Sequence, residues 1–102
     1  MESFSDLIKA ARETKGLILR QVAAAVDIDQ AIISKFERGE RKPSKVQVQR
    51  LAAFYGLDQQ QLITAWLSDA IAYSILQEHN VVEVLKAAEE KVTYLKALQN
   101  EK

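Results

Sequence analysis

Six basic side chains lie within the sixteen residues from Lys35 to Arg50, with only two acidic ones, Glu37 and Glu40, among them. Ammonium and guanidinium groups bind phosphate oxygens, so this stretch could bind a polyanion. The whole chain has no net charge, with 14 basic and 14 acidic residues. Charges farther away than about 8–10 Å are screened at cellular salt, so the local excess governs the attraction. Residues 35–50 therefore favour phosphate binding despite the overall balance.

Catalytic and metal-binding side chains are sparse. The absence of cysteine excludes disulfides, thiolate zinc sites and cysteine nucleophiles, and His79 is the only histidine. Three glycines provide no phosphate-cradling loop. We expect no enzyme activity, no cofactor and no metal. No apolar run is long enough to cross a membrane and the N-terminus is unlike a signal peptide, so we expect a cytoplasmic protein without a membrane partner.

The spacing of apolar residues predicts an all-α fold of six helices and no strand. A chain of 102 residues supports one modest core with room for an extra element. The predicted helices run from a cap at Ser3 or Ser5 to about residue 14, over about 19–26, over 30–38, from Pro43-Ser44 to Gly56, from Asp58 to about 76, and from 81 to about 99.

The second and third predicted helices are short and are separated only by Asp27-Ile28-Asp29. Asp29 is a good N-cap for the third helix, because its carboxylate can accept from unpaired backbone N–H groups. Gly39 ends that helix, and the basic loop follows. Two helices crossed at a short turn can place the second in the major groove of DNA.

The residues from about Phe4 to Leu62 resemble the Cro/lambda-repressor-type helix-turn-helix regulators. The resemblance depends on matches at fixed spacing along this region, chiefly Gly16-Leu17, Val22-Ala23, Val26, Ile28, the run from Ile33 to Gly39, Arg41 to Ser44, Leu51-Ala52 and Gly56-Leu57. It implies a five-helix bundle whose third helix reads the major groove. It also implies a homodimer that binds a palindromic operator in double-stranded DNA.

The same resemblance assigns roles to individual positions. The base-reading surface falls on Gln30, Ala31, Ser34 and Lys35. The side-chain amide of Gln30 would pair with adenine, and Lys35 could reach a guanine or a phosphate. Phosphate contacts fall on Arg38, Arg41, Lys42 and Lys45, with Arg20 as a weaker candidate. Arg12 and Glu37 match a family ion pair between the first and third helices, which gives Glu37 a structural role; the alternative is two exposed charges.

Three positions depart from the family pattern. Ile18 and Leu19 replace a capping Ser or Thr and a glutamine that contacts phosphate, and Asp27 replaces a glycine in the turn. Aspartate tolerates a left-handed conformation at some cost, so we expect the turn to survive. Asp27 and Asp29 also add negative charge near the DNA-facing side.

The C-terminal part predicts self-association. The sixth predicted helix, α6 (residues 81 to about 99), spaces Val81, Leu85, Ala88, Val92 and Leu95 at alternating intervals of four and three, and we call these five residues the α6 seam. The fifth helix is apolar nearly all round. We expect a twofold dimer through residues 62–98, with Trp66, Ile71, Leu85, Ala88, Val92 and Leu95 as its interface residues. The alternative is that the seam folds back on its own chain.

These observations predict a DNA-binding domain in residues 1–62 and a helical dimerisation extension in residues 63–102. The function they favour is a sequence-specific transcriptional regulator, a repressor or autoregulator. Two rivals remain open. One is an antitoxin-like protein whose C-terminal half binds a protein partner, and the other is a controller protein that serves an enzyme in trans.

Overall fold

The structure is a computed structural model and describes residues 2–101. Within them it contains six α-helices and no strand, which confirms the predicted all-α class. The helices are α1 (Phe4–Thr14), α2 (Leu19–Val26), α3 (Gln30–Glu37), α4 (Lys45–Tyr55), α5 (Gln59–Ile75) and α6 (Val81–Asn100). Helix α3 ends one residue earlier than predicted, because Arg38 forms its C-cap with φ −92° and ψ 0°.

Short polar side chains start several of these helices. The hydroxyl of Ser3 accepts from the backbone N–H of Asp6 at 3.1 Å, and that of Ser44 accepts from Gln47 at 3.2 Å. The carboxylate of Asp58 accepts from the backbone N–H of Gln61 at 2.9 Å. Each contact satisfies one of the donors that a helix N-terminus leaves without an intrahelical partner.

One apolar core joins α1 to α4 and the start of α5. Its largest fully buried side chains are Ile8, Val22, Ile33, Phe36, Val48, Leu51 and Leu62. The rings of Phe4 and Phe36 meet edge to face with centroids 6.3 Å apart. Burying an aliphatic or aromatic side chain of this size contributes about 1.5–3 kcal/mol. Helix α3 contacts both α1 and α2, so the core holds it from two sides.

The chain forms two compact units, one ending at Ala70 and the other beginning at Ile71. The first unit includes the start of α5, where Leu62 and Ile63 are buried and Trp66 packs against the core. Trp66, predicted at the dimer interface, thus has part of its surface occupied within its own chain. The predicted division at residue 62 into a DNA-binding part and a dimerisation part stays a prediction.

A long-range hydrogen bond connects α5 to α1 within the first unit. The carboxylate of Asp69 accepts from the backbone N–H of Phe4 at 2.9 Å, sixty-five residues away in the sequence. Phe4 is the first residue of α1, so its N–H has no intrahelical acceptor. A negative charge at that helix end also interacts favourably with the helix dipole.

Candidate nucleic-acid interface

The turn between α2 and α3 sets the direction in which α3 leaves the core. Asp27 adopts the left-handed conformation, with φ 56° and ψ 48°, and the next residue, Ile28, is buried. The carboxylate of Asp29 accepts from the backbone N–H of Ala31 at 2.8 Å and caps α3, as its position predicts. The turn therefore forms although aspartate stands where a glycine is usual.

Helix α3 has one buried face and one exposed face. Ile33 and Phe36 are fully buried, which fixes the rotation of the helix about its axis. On the other side, Gln30, Ala31 and Lys35 are exposed, whereas Ser34 is half-buried. The structure thus brings the four predicted base-reading residues to the uncovered side of a helix that the core holds in place.

The predicted phosphate-binding side chains precede or follow α3 in the sequence, and all of them are accessible to solvent. Arg20, Arg38, Arg41, Lys42 and Lys45 are exposed. Pro43 is buried in their midst, and Ser44 caps α4 immediately afterwards. The loop that carries Arg41 and Lys42 is therefore held at both ends, by the end of α3 and by the start of α4.

The end of α3 contains a contact that sequence reasoning missed. The guanidinium of Arg38 donates through Nε to the carboxylate of Glu40, and through Nη1 to the hydroxyl of Ser34 at 2.6 Å. Two predicted DNA-contacting residues are thus hydrogen-bonded to each other, and one of them is paired with an acid. The only signal in the sequence was the presence of Glu40 two residues after Arg38.

The structure brings Arg12 and Glu37 together. Arg12 donates to the two carboxylate oxygens of Glu37 at 2.7 and 2.9 Å, and also to the backbone carbonyl of Leu17 at 3.0 Å. The side chain of Glu37 is 6% exposed and that of Arg12 is 17% exposed. Hydrogen bonding to Glu37 raises the pKa of the Arg12 guanidinium, although burial acts against this. The pair connects α1 to the last turn of the exposed helix α3.

Tyr55 lies in the same electrostatic environment. It is buried, and its hydroxyl has no hydrogen-bond partner among the described residues. Burial is the main cause that raises the pKa of Tyr55 to about 12; the negative charge of Glu37 acts in the same direction, and the positive charge of Arg12 acts against it. Unlike Arg12 and Glu37, Tyr55 carries no charge at neutral pH.

The N-terminus of α2 has no capping hydroxyl and is stabilised by a different side chain. Ile18 occupies the N-cap position and provides no side-chain acceptor. The side-chain oxygen of Gln21 instead accepts from the backbone N–H of Ile18 at 2.9 Å. Gln21 thus supplies the reverse half of a capping box, which keeps the start of α2 defined beside Arg20.

A comparison with protein-family models finds one described as a helix-turn-helix, which matches residues 8–58. The match covers α1 from Ile8 onward, α2 to α4 and the turn at Asp27, the elements that hold and expose α3. The chain belongs to the Cro/C1-type helix-turn-helix family. Membership in this family implies DNA binding and a role as a transcriptional regulator, and its members are typically not enzymes.

A search of curated proteins finds no match to this helix-turn-helix protein. No helix within residues 2–101 is long and apolar enough to cross a membrane. The Cro/C1-type assignment therefore depends on the family match and on the fold that the match spans.

The second compact unit contains the end of α5 and the whole of α6. None of the residues of α6 is buried. Of the predicted interface residues, Ile71, Leu85, Val92 and Leu95 are about half exposed, and Ala88 is exposed. An apolar cleft of about 310 Å³ lies between the end of α5 and the start of α6, lined by Ile71, Ala72, Ile75, Leu76, Val81 and Leu85. The unit thus carries an uncovered apolar surface.

Proposed function

We propose that this protein is a sequence-specific transcriptional regulator, a repressor or autoregulator, that binds a palindromic operator as a homodimer with α3 in the major groove. The observation that carries the proposal is the exposed face of α3 on a helix whose opposite face is fully buried. A rigidly held helix can present its side chains to base edges in a fixed register.

Within this proposal, base reading falls to Gln30, Ala31, Ser34 and Lys35, all on α3. A glutamine amide can donate to N7 and accept from N6 of adenine, and an alanine methyl can contact the thymine methyl. The capped start of α3 at Asp29 supports this role, because it holds Gln30 and Ala31 in the first helical turn.

Phosphate contacts then position the helix. Arg20, Arg38, Arg41, Lys42 and Lys45 are exposed on segments that precede or follow α3. Charge contacts of this kind carry little sequence information, but they fix the register of the protein on the duplex. They also make the affinity fall with rising salt.

Dimerisation is supported by the state of α6. A twenty-residue helix without a buried residue gains little tertiary packing in the single chain, and isolated helices are only marginally stable in water. Pairing of two α6 seams in a twofold dimer would cover Leu85, Val92 and Leu95. It would also provide two recognition helices for half-sites about one DNA turn, ~34 Å, apart.

The same uncovered surface favours one second candidate. An antitoxin-like or controller protein would use the apolar residues of α6 to bind a different protein, while the helix-turn-helix binds DNA. The mass of the purified protein separates the two proposals. A stable homodimer without a client favours the first, and a monomer that forms a defined complex with another protein favours the second.

The experiment for DNA binding is selection of bound duplexes from random sequence, with half-site spacing measured in the enriched pool. The proposal expects an inverted repeat with half-site centres about 10 base pairs apart. Failure to retain any duplex in dilute buffer would contradict DNA binding, and a single unrepeated site would contradict the dimer.

The dimer surface has its own test by sedimentation of variants. Leu85→Asp combined with Val92→Asp places charges in the α6 seam and should give a monomer. Tyr94→Asp is the matched control, because Tyr94 is an exposed apolar residue of α6 outside the seam. Unchanged sedimentation of the double variant would rule out the seam as the interface.

A further inference from the structure

The contact between Arg38 and Glu40 lies at the end of the proposed recognition helix. Three backbone features hold the two residues in this position. The N–H of Glu40 donates to the carbonyl of Lys35 at 2.9 Å, and the N–H of Gly39 donates to that of Phe36 at 3.2 Å. Gly39 has φ 70°, so the three residues form the left-handed turn that commonly ends a helix. The turn places Glu40 beside the Arg38 side chain.

Glu40 is a negatively charged residue in a segment that is otherwise positively charged. It is the only acidic residue between Arg38 and Arg50, a segment with five basic ones. A carboxylate at a helix C-terminus also interacts unfavourably with the helix dipole. The side chains of Arg38 and Glu40 are 55% and 53% exposed, and exposed ion pairs contribute little to stability. Folding therefore gains little from Glu40.

We propose that Glu40 competes with DNA phosphate for the guanidinium of Arg38 and thereby attenuates the affinity for DNA. A phosphate and a carboxylate offer the same kind of acceptor to a guanidinium, so the two exclude each other at its Nε. Binding of a DNA phosphate at this Nε requires the pair with Glu40 to break. This inference depends on the proposed function and adds a control of affinity to it.

Ser34 links this competition to base reading. Its hydroxyl accepts from Nη1 of Arg38 at 2.6 Å while Nε of the same guanidinium donates to Glu40. When Arg38 turns toward a phosphate, the acceptor lone pairs of the Ser34 hydroxyl become available to a base edge. One movement of one side chain would thus supply both a phosphate contact and a base contact.

The test is a double-mutant cycle on the full chain, with affinity measured by fluorescence anisotropy on the selected operator and on a scrambled duplex. Glu40→Gln should strengthen binding to both duplexes about three- to fivefold, the equivalent of one exposed ion pair. The dependence of log affinity on log salt should become steeper by up to about one unit. Glu90→Gln, the same charge change on α6, is the control and should alter neither quantity.

The cycle separates competition from simple repulsion between Glu40 and DNA. In an Arg38→Ala background, Glu40→Gln should have little effect, because there is no guanidinium left to release. An equal gain in both backgrounds would overturn the proposal in favour of repulsion. Weaker binding by Glu40→Gln alone would overturn it in favour of a positioning role for Glu40.

Retention on immobilised heparin provides a readout that does not depend on reading of DNA. Glu40→Gln should elute at higher salt than the wild type, whereas Arg38→Ala with Glu40→Gln should elute no later than Arg38→Ala alone. If the wild type ignores duplex DNA but this heparin pattern holds, the proposed function fails together with the attenuation of DNA affinity, and only competition between Glu40 and an anionic group for Arg38 stands. If the wild type binds DNA but Glu40→Gln elutes from heparin at the same salt concentration as the wild type, the competition is ruled out and the proposed function is unaffected.

Discussion

Arg12 and Glu37 are joined by two hydrogen bonds, of 2.7 and 2.9 Å, between the last turn of α1 and the last turn of α3. The arrangement is the side-by-side pairing of a guanidinium with a carboxylate, and the carboxylate is nearly buried. Because α3 carries the proposed recognition surface, the pair holds that surface against the rest of the bundle.

The first prediction concerns the loss of one partner of this pair. Arg12→Met should lower the free energy of unfolding by about 3–5 kcal/mol, because it leaves the charge of Glu37 buried without compensation. Arg12→Met together with Glu37→Leu should be less destabilised than Arg12→Met alone. Urea denaturation followed by circular dichroism measures both. A single variant within ~0.5 kcal/mol of the wild type would show that the pair behaves as two surface charges.

The second prediction concerns stability at high pH. The pKa of Tyr55 is raised to about 12 by burial, from an ordinary value near 10. The unfolded chain therefore releases this proton near pH 10, while the folded chain keeps it until about pH 12. This titration leaves the free energy of unfolding unchanged below pH 10 and lowers it by about 2–3 kcal/mol as pH rises to about 12.

Tyr55→Phe removes the group responsible for this loss. Its free energy of unfolding should decline less between pH 10 and 12 than that of the wild type. At pH 7 it should match or exceed the wild type, because the hydroxyl has no hydrogen-bond partner among the described residues. Tyr94→Phe, at an exposed position, is the control. Equal pH dependence of the Tyr55 and Tyr94 variants would contradict the raised pKa.

The third prediction contrasts the two aspartates of the turn between α2 and α3. Asp27 has a positive φ, so Asp27→Gly should stabilise the protein by up to about 1 kcal/mol. Asp29 caps α3, so Asp29→Ala should destabilise it by about 0.5–2 kcal/mol. Thermal unfolding of both variants gives the sign of each change in stability. Two changes of the same sign would be inconsistent with this geometry of the turn.

Much of this architecture could be predicted from the sequence. The helix bounds follow from apolar spacing and from capping residues such as Asp29 and Ser44, which act over three or four residues. The sequence places the end of α3 one residue too late, because Gly39 and the turn it makes leave Arg38 outside the helix. Local interactions are therefore sufficient to predict the six helices, with an error of about one residue at the end of α3.

Two contacts could not be predicted in this way. The hydrogen bond from Phe4 to Asp69 joins residues far apart in the sequence, and its existence depends on how α5 packs on α1. The Arg38–Glu40 pair depends on a side-chain conformation after a left-handed turn, and several alternatives were compatible with the same sequence. The base-reading assignment had the family resemblance as its source, and it stays a prediction.

The fourth prediction separates phosphate contacts from the rest of the positive charge. Lys42→Ala should weaken binding to all duplexes alike and reduce the salt slope by about one unit. Lys9→Ala removes the same charge from an exposed position on α1 and is the control. DNA affinities of the two variants and the wild type, measured across a series of salt concentrations, give both the affinity and the salt slope. Equal effects of the two substitutions would mean that Lys42 acts through net charge and makes no contact.

The most direct test of the central claim is selection of duplexes by the Gln30→Ala variant beside the wild type. Exposed Gln30 in the first turn of α3 should specify one base pair in each half-site. Its loss should cost about 1–3 kcal/mol at that pair, relax the preference there and leave nonspecific binding unchanged. An identical selected sequence for both proteins would contradict the claim that this end of α3 reads DNA.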